Sequence, residues 1–270
     1  MAARALLLTP ALAPYWHVAR RTFQRNSTYR GATFAGVVIG TVFGFLRAYV
    51  LLAVYRSRST IGSFDAMDAV TFTFVSQGLL PTVGMWGRLE LSDRIRSGDV
   101  ATDLYRPLHF SSYWLAQDLG RFAYEGLARG IPPLAIGALV FPLRFPASPF
   151  TWALFLLAVV LAEVVSFGLR FLVALVGFWL IDNRGFIQFA GFVTQFFGGV
   201  IVPLSFFPGG LEQVARLLPF QAVIQLPVEL FLGRQGAGAL AVQALWAAAL
   251  MVAGNAFALR AVRKVVVQGG

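Results

Sequence analysis

Long apolar runs constrain the fold of this chain more than any other feature of its sequence. At six places, about 20 or more residues follow one another with hardly a charged side chain, and about 20 residues is the length that an α-helix needs to cross a bilayer. Strands of a membrane barrel would instead alternate apolar and polar residues over about ten positions. The pattern therefore predicts an all-α integral membrane protein with six transmembrane helices.

The six predicted spans divide the chain into segments. They cover residues 31–55, 66–87, 122–141, 150–181 and 185–204, and the stretch between Arg234 and Arg260. Only 13% of the residues are charged, about half the share in soluble domains, which is too few to coat the surface of a soluble protein. We expect an interfacial segment at 1–30, a six-span domain at 31–260 and a cytoplasmic tail at 261–270.

Several kinds of site are excluded by residue counts. The one lysine, Lys264, precedes Val265, so the chain has no Gly-Lys-Ser/Thr phosphate-binding loop. There is no cysteine, and the two histidines, His17 and His109, have no acidic companions at metal-ligand spacing. We therefore expect no metal and no cofactor bound by this chain.

The net charge of +10 predicts membrane topology rather than a nucleic-acid partner. With the N-terminus inside, fourteen of the 22 lysines and arginines fall in cytoplasmic segments and five fall in outer loops. Because basic residues collect on the cytoplasmic side, both termini are expected in the cytoplasm. The excess of arginine over lysine is a compositional trait of GC-rich bacterial genomes, and the expected location is the bacterial inner membrane.

Three segments outside the spans have features of their own. Aromatic and apolar residues are mixed with arginines along 11–30, which favours an amphipathic helix at the membrane surface over a disordered basic tail. The charge-balanced stretch 88–121 is expected to contain a short cytoplasmic helix that Asp99 caps and Pro107 ends. Four prolines break 203–234, which predicts an outer re-entrant segment.

Two sets of residues within the predicted spans are candidates for a transport path. Glu163 and Arg170 are ionisable residues inside the fourth span, where such residues are usually functional. They stand seven positions apart, about 10 Å along a helix axis, so we expect each to pair with another helix rather than with the other. Phe189, Phe192 and Phe196 recur at helical spacing along the fifth span. Structural pairing for the charges, and packing or lipid contact for the phenylalanines, are the alternatives.

Two stretches of sequence resemble the ABC type-2 exporter permeases. The segment IRSGDVATDLYRPL follows the second predicted span, and PLSFFPGGLEQVARLLPFQAVIQLPVELFLG follows the fifth. The order also matches that family: an interfacial helix, two spans, a coupling segment and four spans. The chain most resembles the six-span permeases that are encoded as a pair beside one ATPase, and the resemblance covers essentially the whole sequence.

The resemblance implies a transport subunit rather than an enzyme. A separate ATPase subunit would bind ATP and Mg²⁺, and a second permease, either a copy or a diverged sister, would share the path. The implied ATPase contact is the coupling helix, with Arg94, Asp99, Asp103, Arg106 and Pro107. The implied activity is export of an amphipathic or apolar substrate, such as a lipid, a drug or a secondary metabolite.

Two other functions stay open on the sequence. A membrane-embedded enzyme such as a lipid transferase would gather acidic and basic groups near one interface, and Asp99, Asp103 and His109 come closest to that. An ion-coupled transporter would carry several intramembrane carboxylates, whereas only Glu163 lies deep in a predicted span.

Overall fold

The described residues of the first half of the chain fold into seven α-helices. The computed structural model describes residues 12–57, 59–61, 64–85, 87, 89–180, 182–261 and 263. The helices are α1 (Leu12–Ser27), α2 (Arg30–Tyr55), α3 (Ala66–Thr82), α4 (Glu90–Ser97), α5 (Val100–Leu104), α6 (Phe110–Glu125) and α7 (Ile131–Val140). A π-helical turn, Gly126–Gly130, joins α6 to α7 without a break.

The second half contains two long helices separated by short ones. In order these are α8 (Pro149–Leu175), which continues as a 3₁₀ turn at Val176–Phe178, then α9 (Arg184–Phe197), α10 (Gly209–Leu217), α11 (Gln225–Phe231) and α12 (Gly238–Ala261), with 3₁₀ turns at Leu204–Phe206 and Pro219–Ala222. The part of the chain that the structure describes has no β-strand. Residues 1–11 of the predicted interfacial segment, Arg88 and all of the tail beyond Ala261 except Arg263 lie outside the described residues.

Three of these helices are long and apolar enough to cross a membrane. Within the described residues they are Arg30–Tyr55, Pro149–Phe178 and Gly238–Ala261. The prediction of an all-α membrane protein is therefore confirmed. At 1.5 Å per residue, α3 with 17 residues is about 26 Å long and α9 with 14 residues is about 21 Å long, each shorter than a hydrocarbon core of about 30 Å. The number of six spans stays a prediction.

The third predicted span is part of a longer helix than the sequence indicated. Helix α6 begins at Phe110, twelve residues before the start that apolarity alone predicted. The reason is local, because the ring of His109 accepts a hydrogen bond from the backbone N–H of Ser112 and so caps the helix. Residues 110–121, which we expected within the coupling segment, are thus the first three turns of this helix.

Helix α1 packs along α6. The backbone N–H of His109 donates to the Tyr15 hydroxyl at 2.9 Å, and the rings of Phe23 and Tyr124 meet edge to face at 5.6 Å. Two aromatic residues of α1 therefore pack on protein, whereas Trp16 and the arginines on the other face are exposed. The helix has one protein-facing side and one free side.

The segment 203–234 is folded around a buried core. All seven residues of α11 are buried, and they pack against α3, α8 and the first half of α12. Its neighbour α10 has an inverted arrangement: Leu211, Val214 and Leu217 point outward, and Arg216 reaches inward to the buried carboxylate of Glu229 at 3.0 Å. A helix with its apolar side outward and its ionic side inward suits an apolar environment.

Candidate functional site

Four charged side chains meet in the interior between α6 and α8. The Nε of Arg121 lies 2.7 Å from Asp118 Oδ1, and its Nη2 lies 2.9 Å from Glu163 Oε1. The Nη2 of Arg170 lies 2.5 Å from Asp118 Oδ2. Glu163 is fully buried and Asp118 nearly so. Two cations and two anions therefore balance, as buried charges require. We call Asp118, Arg121, Glu163 and Arg170 the ion quartet.

The prediction that Glu163 and Arg170 do not contact each other is wrong. Their separation of seven residues was expected to keep them apart, but Arg170 Nη2 lies 3.5 Å from Glu163 Oε1. The two Cα atoms are about 10 Å apart along the axis, and the long arginine side chain spans that distance by folding back along α8. Each residue also pairs with α6, as expected. The quartet partners Asp118 and Arg121 were not singled out, although their spacing of three, just before a predicted span, is that of an ion pair on one face of a helix.

The quartet also holds the C-terminal end of α3. Arg121 Nη1 donates to the carbonyl oxygens of Pro81 at 2.9 Å and Thr82 at 3.1 Å, and the Ser166 hydroxyl donates to Val83 O at 2.6 Å. These contacts place side-chain donors on the carbonyls at the end of the helix, where the regular hydrogen-bond pattern stops. Gly84 follows with a φ of +63°, and a Cβ there would lie 2.7 Å from Arg121 Nη2. Glycine is therefore required where the chain turns toward α4.

A cavity of about 450 Å³ lies beside the quartet. Arg170 of the quartet forms part of its wall, together with Ser166, Leu169 and Val173 of α8. The opposite wall is α9, and the remaining side is the turn after α3 and the start of α4, including Leu89 and Ser92. The volume falls within the range of small-molecule sites. Glu163, the other predicted path residue on α8, is buried and does not line the cavity.

The coupling segment folds as a helical hairpin of α4 and α5. Gly98, with a φ of +82°, ends α4 and starts the turn. The buried carboxylate of Asp103 accepts from Arg94 Nε at 2.6 Å and lies 3.3 Å from Arg106 Nε. Arg94 also donates to the Thr102 hydroxyl at 2.8 Å. Three of the predicted ATPase-contact residues thus form one ionic clasp that closes the hairpin.

The role expected for the Asp99 side chain is wrong. Asp99 does precede α5, but its carboxylate accepts from the Ser97 hydroxyl at 2.8 Å and makes no capping hydrogen bond. Its backbone is helical (φ −62°, ψ −18°), whereas a capping side chain needs an extended backbone to reach the next turn. Pro107 lies in the exposed turn between α5 and α6, as expected.

The phenylalanines of α9 lie away from the cavity. Phe189 and Phe192 are 66% and 58% exposed, and Phe196 stacks on Phe192 at 6.3 Å between ring centroids. The face of α9 that lines the cavity carries Gln188, Gly191 and Gln195 instead. A role for the three phenylalanines in a path between two permeases stays a prediction.

The sequence of the chain matches a family of transporters. The family model described as ABC-2 family transporter protein matches residues 41–269, which is most of the chain. The chain belongs to this ABC-2 transporter family. Neither curated proteins nor solved structures give a match. Membership makes the chain a permease of an ABC transporter, a membrane subunit that works with an ABC ATPase.

The alternative of an embedded enzyme finds no support in the residues that suggested it. Asp103 belongs to the ionic clasp, and His109 caps α6. The described residues contain no group of three or more His, Asp or Glu side chains that could hold a metal ion. The family to which the chain belongs is one of transport subunits.

Proposed function

We propose that this chain is the permease subunit of an ABC exporter, with six spans and both termini in the cytoplasm of a bacterial inner membrane. ATP and Mg²⁺ bind to a separate ATPase subunit, and a second permease, identical or a diverged sister, completes the path. The cargo is an amphipathic or apolar molecule that leaves the cytoplasm. The family match supports the ATPase partner and the membrane location.

The position of the α4–α5 hairpin carries the proposal. Its tip, residues 96–99, is exposed, and its other end, Leu89 and Ser92, forms a wall of the cavity. Between the two, Ile95 packs against Gly177 at the end of α8, where a Cβ would lie 3.3 Å from Ile95 Cγ2. A force applied to the tip therefore reaches α8 and the cavity through one short helix.

The ion quartet is the second element of the proposed coupling. It fixes the end of α3 to α6 and α8 just before the chain enters α4. A movement of α4 therefore pulls on a joint where three helices meet. In an alternating-access cycle, ATP binding would shift the hairpin, and this joint would pass the shift to the helices around the cavity.

Purification of the tagged protein from its native host in mild detergent tests the proposal. We expect an ATPase subunit in fixed stoichiometry, identified by mass, together with ATP hydrolysis. A second six-span chain in the preparation would indicate a heterodimer. A chain that stays alone after gentle crosslinking in cells would contradict the exporter function.

The substitution Arg106→Glu tests the contact itself. Arg106 is exposed at the base of the hairpin, and Asp103 keeps its shorter pair with Arg94 at 2.6 Å, so the substitution does not leave that buried carboxylate without a cation. We expect the variant to fold but to lose the coupling of ATP hydrolysis to transport. Arg56→Glu, at an exposed site beyond α2 on the proposed outer side, is the matched control. Normal transport by the Arg106→Glu variant would place the ATPase contact elsewhere.

A further inference from the structure

Helix α9 has two chemically different faces. Arg184, Gln188, Gly191 and Gln195 follow one another at intervals of four, three and four residues, so they lie along one side of the helix. All four line the cavity. Phe189, Phe192 and Phe196 do not line the cavity. The polar face of an otherwise apolar helix is thus turned into the cavity, where its amides can meet a ligand.

The cavity wall has hydrogen-bonding groups, but its charges are already balanced. The three nitrogens of the Arg170 guanidinium donate to Ser166 Oγ and to both oxygens of Asp118. Arg184 lies at the edge with an exposed side chain, 3.8 Å from Asp182. No carboxylate is among the described residues that line the cavity. A cationic ligand group would therefore enter this site without a counter-charge from the described wall, which is costly away from water. An anionic group would meet a loosely paired cation only at the exposed edge, in Arg184, because Arg170 is already held by Asp118.

The rest of the wall is apolar. Leu169 and Val173 of α8, Ile187 of α9 and Met85 beyond α3 line the cavity between the polar groups. A ligand that fits must present polar atoms to α9 and Ser92, and hydrocarbon to the remaining surface. The amides of Gln188 and Gln195 can each donate and accept, which suits hydroxyl, carbonyl and amide groups.

We propose that this cavity binds an uncharged amphiphile. Its hydroxyl, carbonyl or amide groups meet Gln188, Gln195 and Ser92, and its hydrocarbon part lies along α8. As a statement about cargo, this rests on the exporter function proposed above, because only that function makes the cavity part of a path. As a statement about binding, it rests on the cavity alone.

Photolabelling in detergent-free lipid nanodiscs tests the proposal. The sample is the full chain together with the subunits that co-purify with it. Three probes share one diazirine-bearing dodecyl chain and differ in headgroup: maltoside, phosphate and trimethylammonium. We expect the maltoside to label residues within 166–195 at the lowest concentration, and unlabelled dodecyl maltoside to compete with it. Preferential labelling of this region by the phosphate or the trimethylammonium probe would overturn the proposal.

Two sets of variants assign the labelling to the cavity. A Cβ at Gly191 meets no atom within 4 Å, so Gly191→Leu fills the cavity without a clash and should abolish the labelling. Gly185→Leu, in equally open space on the same helix but outside the cavity wall, is the matched control. Gln188→Leu with Gln195→Leu should weaken maltoside labelling about tenfold or more, because each lost hydrogen bond costs up to about tenfold in affinity. Unchanged labelling of the Gly191→Leu variant would place the binding site elsewhere.

The same preparation separates the two proposals. An active ATPase that co-purifies, in the absence of cavity labelling, would leave the exporter function standing and refute the uncharged amphiphile. Specific maltoside labelling in a chain that never associates with an ATPase would support the binding site and refute the exporter.

Discussion

At the scale of single residues, the ion quartet shows how strongly a buried charge contributes to the free energy of unfolding when its partners are also buried. Both carboxylates of the quartet contact both arginines, but Asp118 makes the shorter contacts, at 2.7 Å and 2.5 Å against 2.9 Å and 3.5 Å for Glu163. We expect Asp118→Asn to lower the free energy of unfolding by about 3 kcal/mol or more, because it leaves buried cations without their partner. Unfolding in a graded denaturing detergent would measure the loss.

A double-mutant cycle shows whether the quartet acts as a unit. Arg170→Gln removes the cation that Asp118→Asn leaves without its partner, so the double variant should lose less stability than the sum of the two single variants. Arg25 and Glu90, an exposed pair at 2.9 Å, are the matched control, and their substitutions should cost about 1 kcal/mol or less. Additive losses in the quartet would show that the two residues do not interact.

A second ionic cluster, at the N-terminal end of α3, should make the stability of the protein depend on pH. Arg144 Nη2 lies 2.9 Å from Asp65 Oδ2, and the Asp68 N–H donates to Asp65 Oδ1 at 2.7 Å. Burial alone would raise the pKa of Asp65, but the hydrogen bonds from Asp68 and Arg144 outweigh it and hold that pKa below its usual value. The ionised carboxylate therefore stabilises the fold above an unfolded-state pKa of about 3.9.

That stabilisation should disappear as the pH falls through the lowered pKa of folded Asp65. We expect the thermal unfolding midpoint of the purified protein to fall between about pH 5 and pH 2, and to fall less in the Asp65→Asn variant. Asp182→Asn, at an exposed and looser pair, is the control. The same acid sensitivity in the Asp65→Asn variant and the unmodified protein would exclude this carboxylate as its source.

At the scale of elements, α10 illustrates a helix whose charged side faces protein. Glu229 is buried, and it contacts Arg216 at 3.0 Å and the Gln225 amide at 2.8 Å. We expect Arg216→Leu to destabilise the protein by about 3 kcal/mol or more, because Glu229 would keep its charge without a cation. Thermal unfolding is the measurement, and adding Glu229→Gln should restore much of the loss. If the double variant were no more stable than Arg216→Leu alone, this explanation would be contradicted.

Elements could be predicted from the sequence where one local property decides them. Apolar length placed α2, α8 and α12, and the four prolines of 203–234 indicated that this segment is broken into short pieces. The start of α6 depended on a single capping histidine, which hydropathy does not detect. The composition of 203–234 predicted a segment that dips into the membrane, but only the structure shows that α11 is the centre of the core.

The candidate site was less predictable, because its parts come from distant positions. Glu163 and Arg170 stood out as charges in an apolar run, but their partners lie about 40 to 50 residues earlier, on a segment that read as cytoplasmic. The polar face of α9 was present in the sequence as two glutamines seven residues apart. This face was not predicted, because glutamine carries no charge and because the phenylalanines between the two glutamines dominate the hydropathy of the segment.

At the scale of the whole molecule, the single chain leaves an unusual amount of apolar surface free. Within the described residues α9 has no buried residue, and the side chains of Phe189 and Phe192 are largely exposed. Helix α2 also has few buried residues, namely Gly44, Ala48 and Tyr55. Lipid can cover such surfaces, but the second permease of the proposed exporter also needs an apolar contact surface on this chain. We therefore expect the phenylalanine face of α9 to meet the second permease.

The absence of cysteine from the sequence makes this expectation directly testable. A single cysteine at Phe189, labelled with a benzophenone maleimide in native membranes, should crosslink to another six-span chain on irradiation, and the mass of the adduct distinguishes an identical copy from a sister. A cysteine at Leu139 on α7, which is 85% exposed, is the control and should react with lipid only. Crosslinking from Leu139 but not from Phe189 would move the interface to α7. It would also leave the phenylalanine face to lipid, because no second chain would then lie against that face.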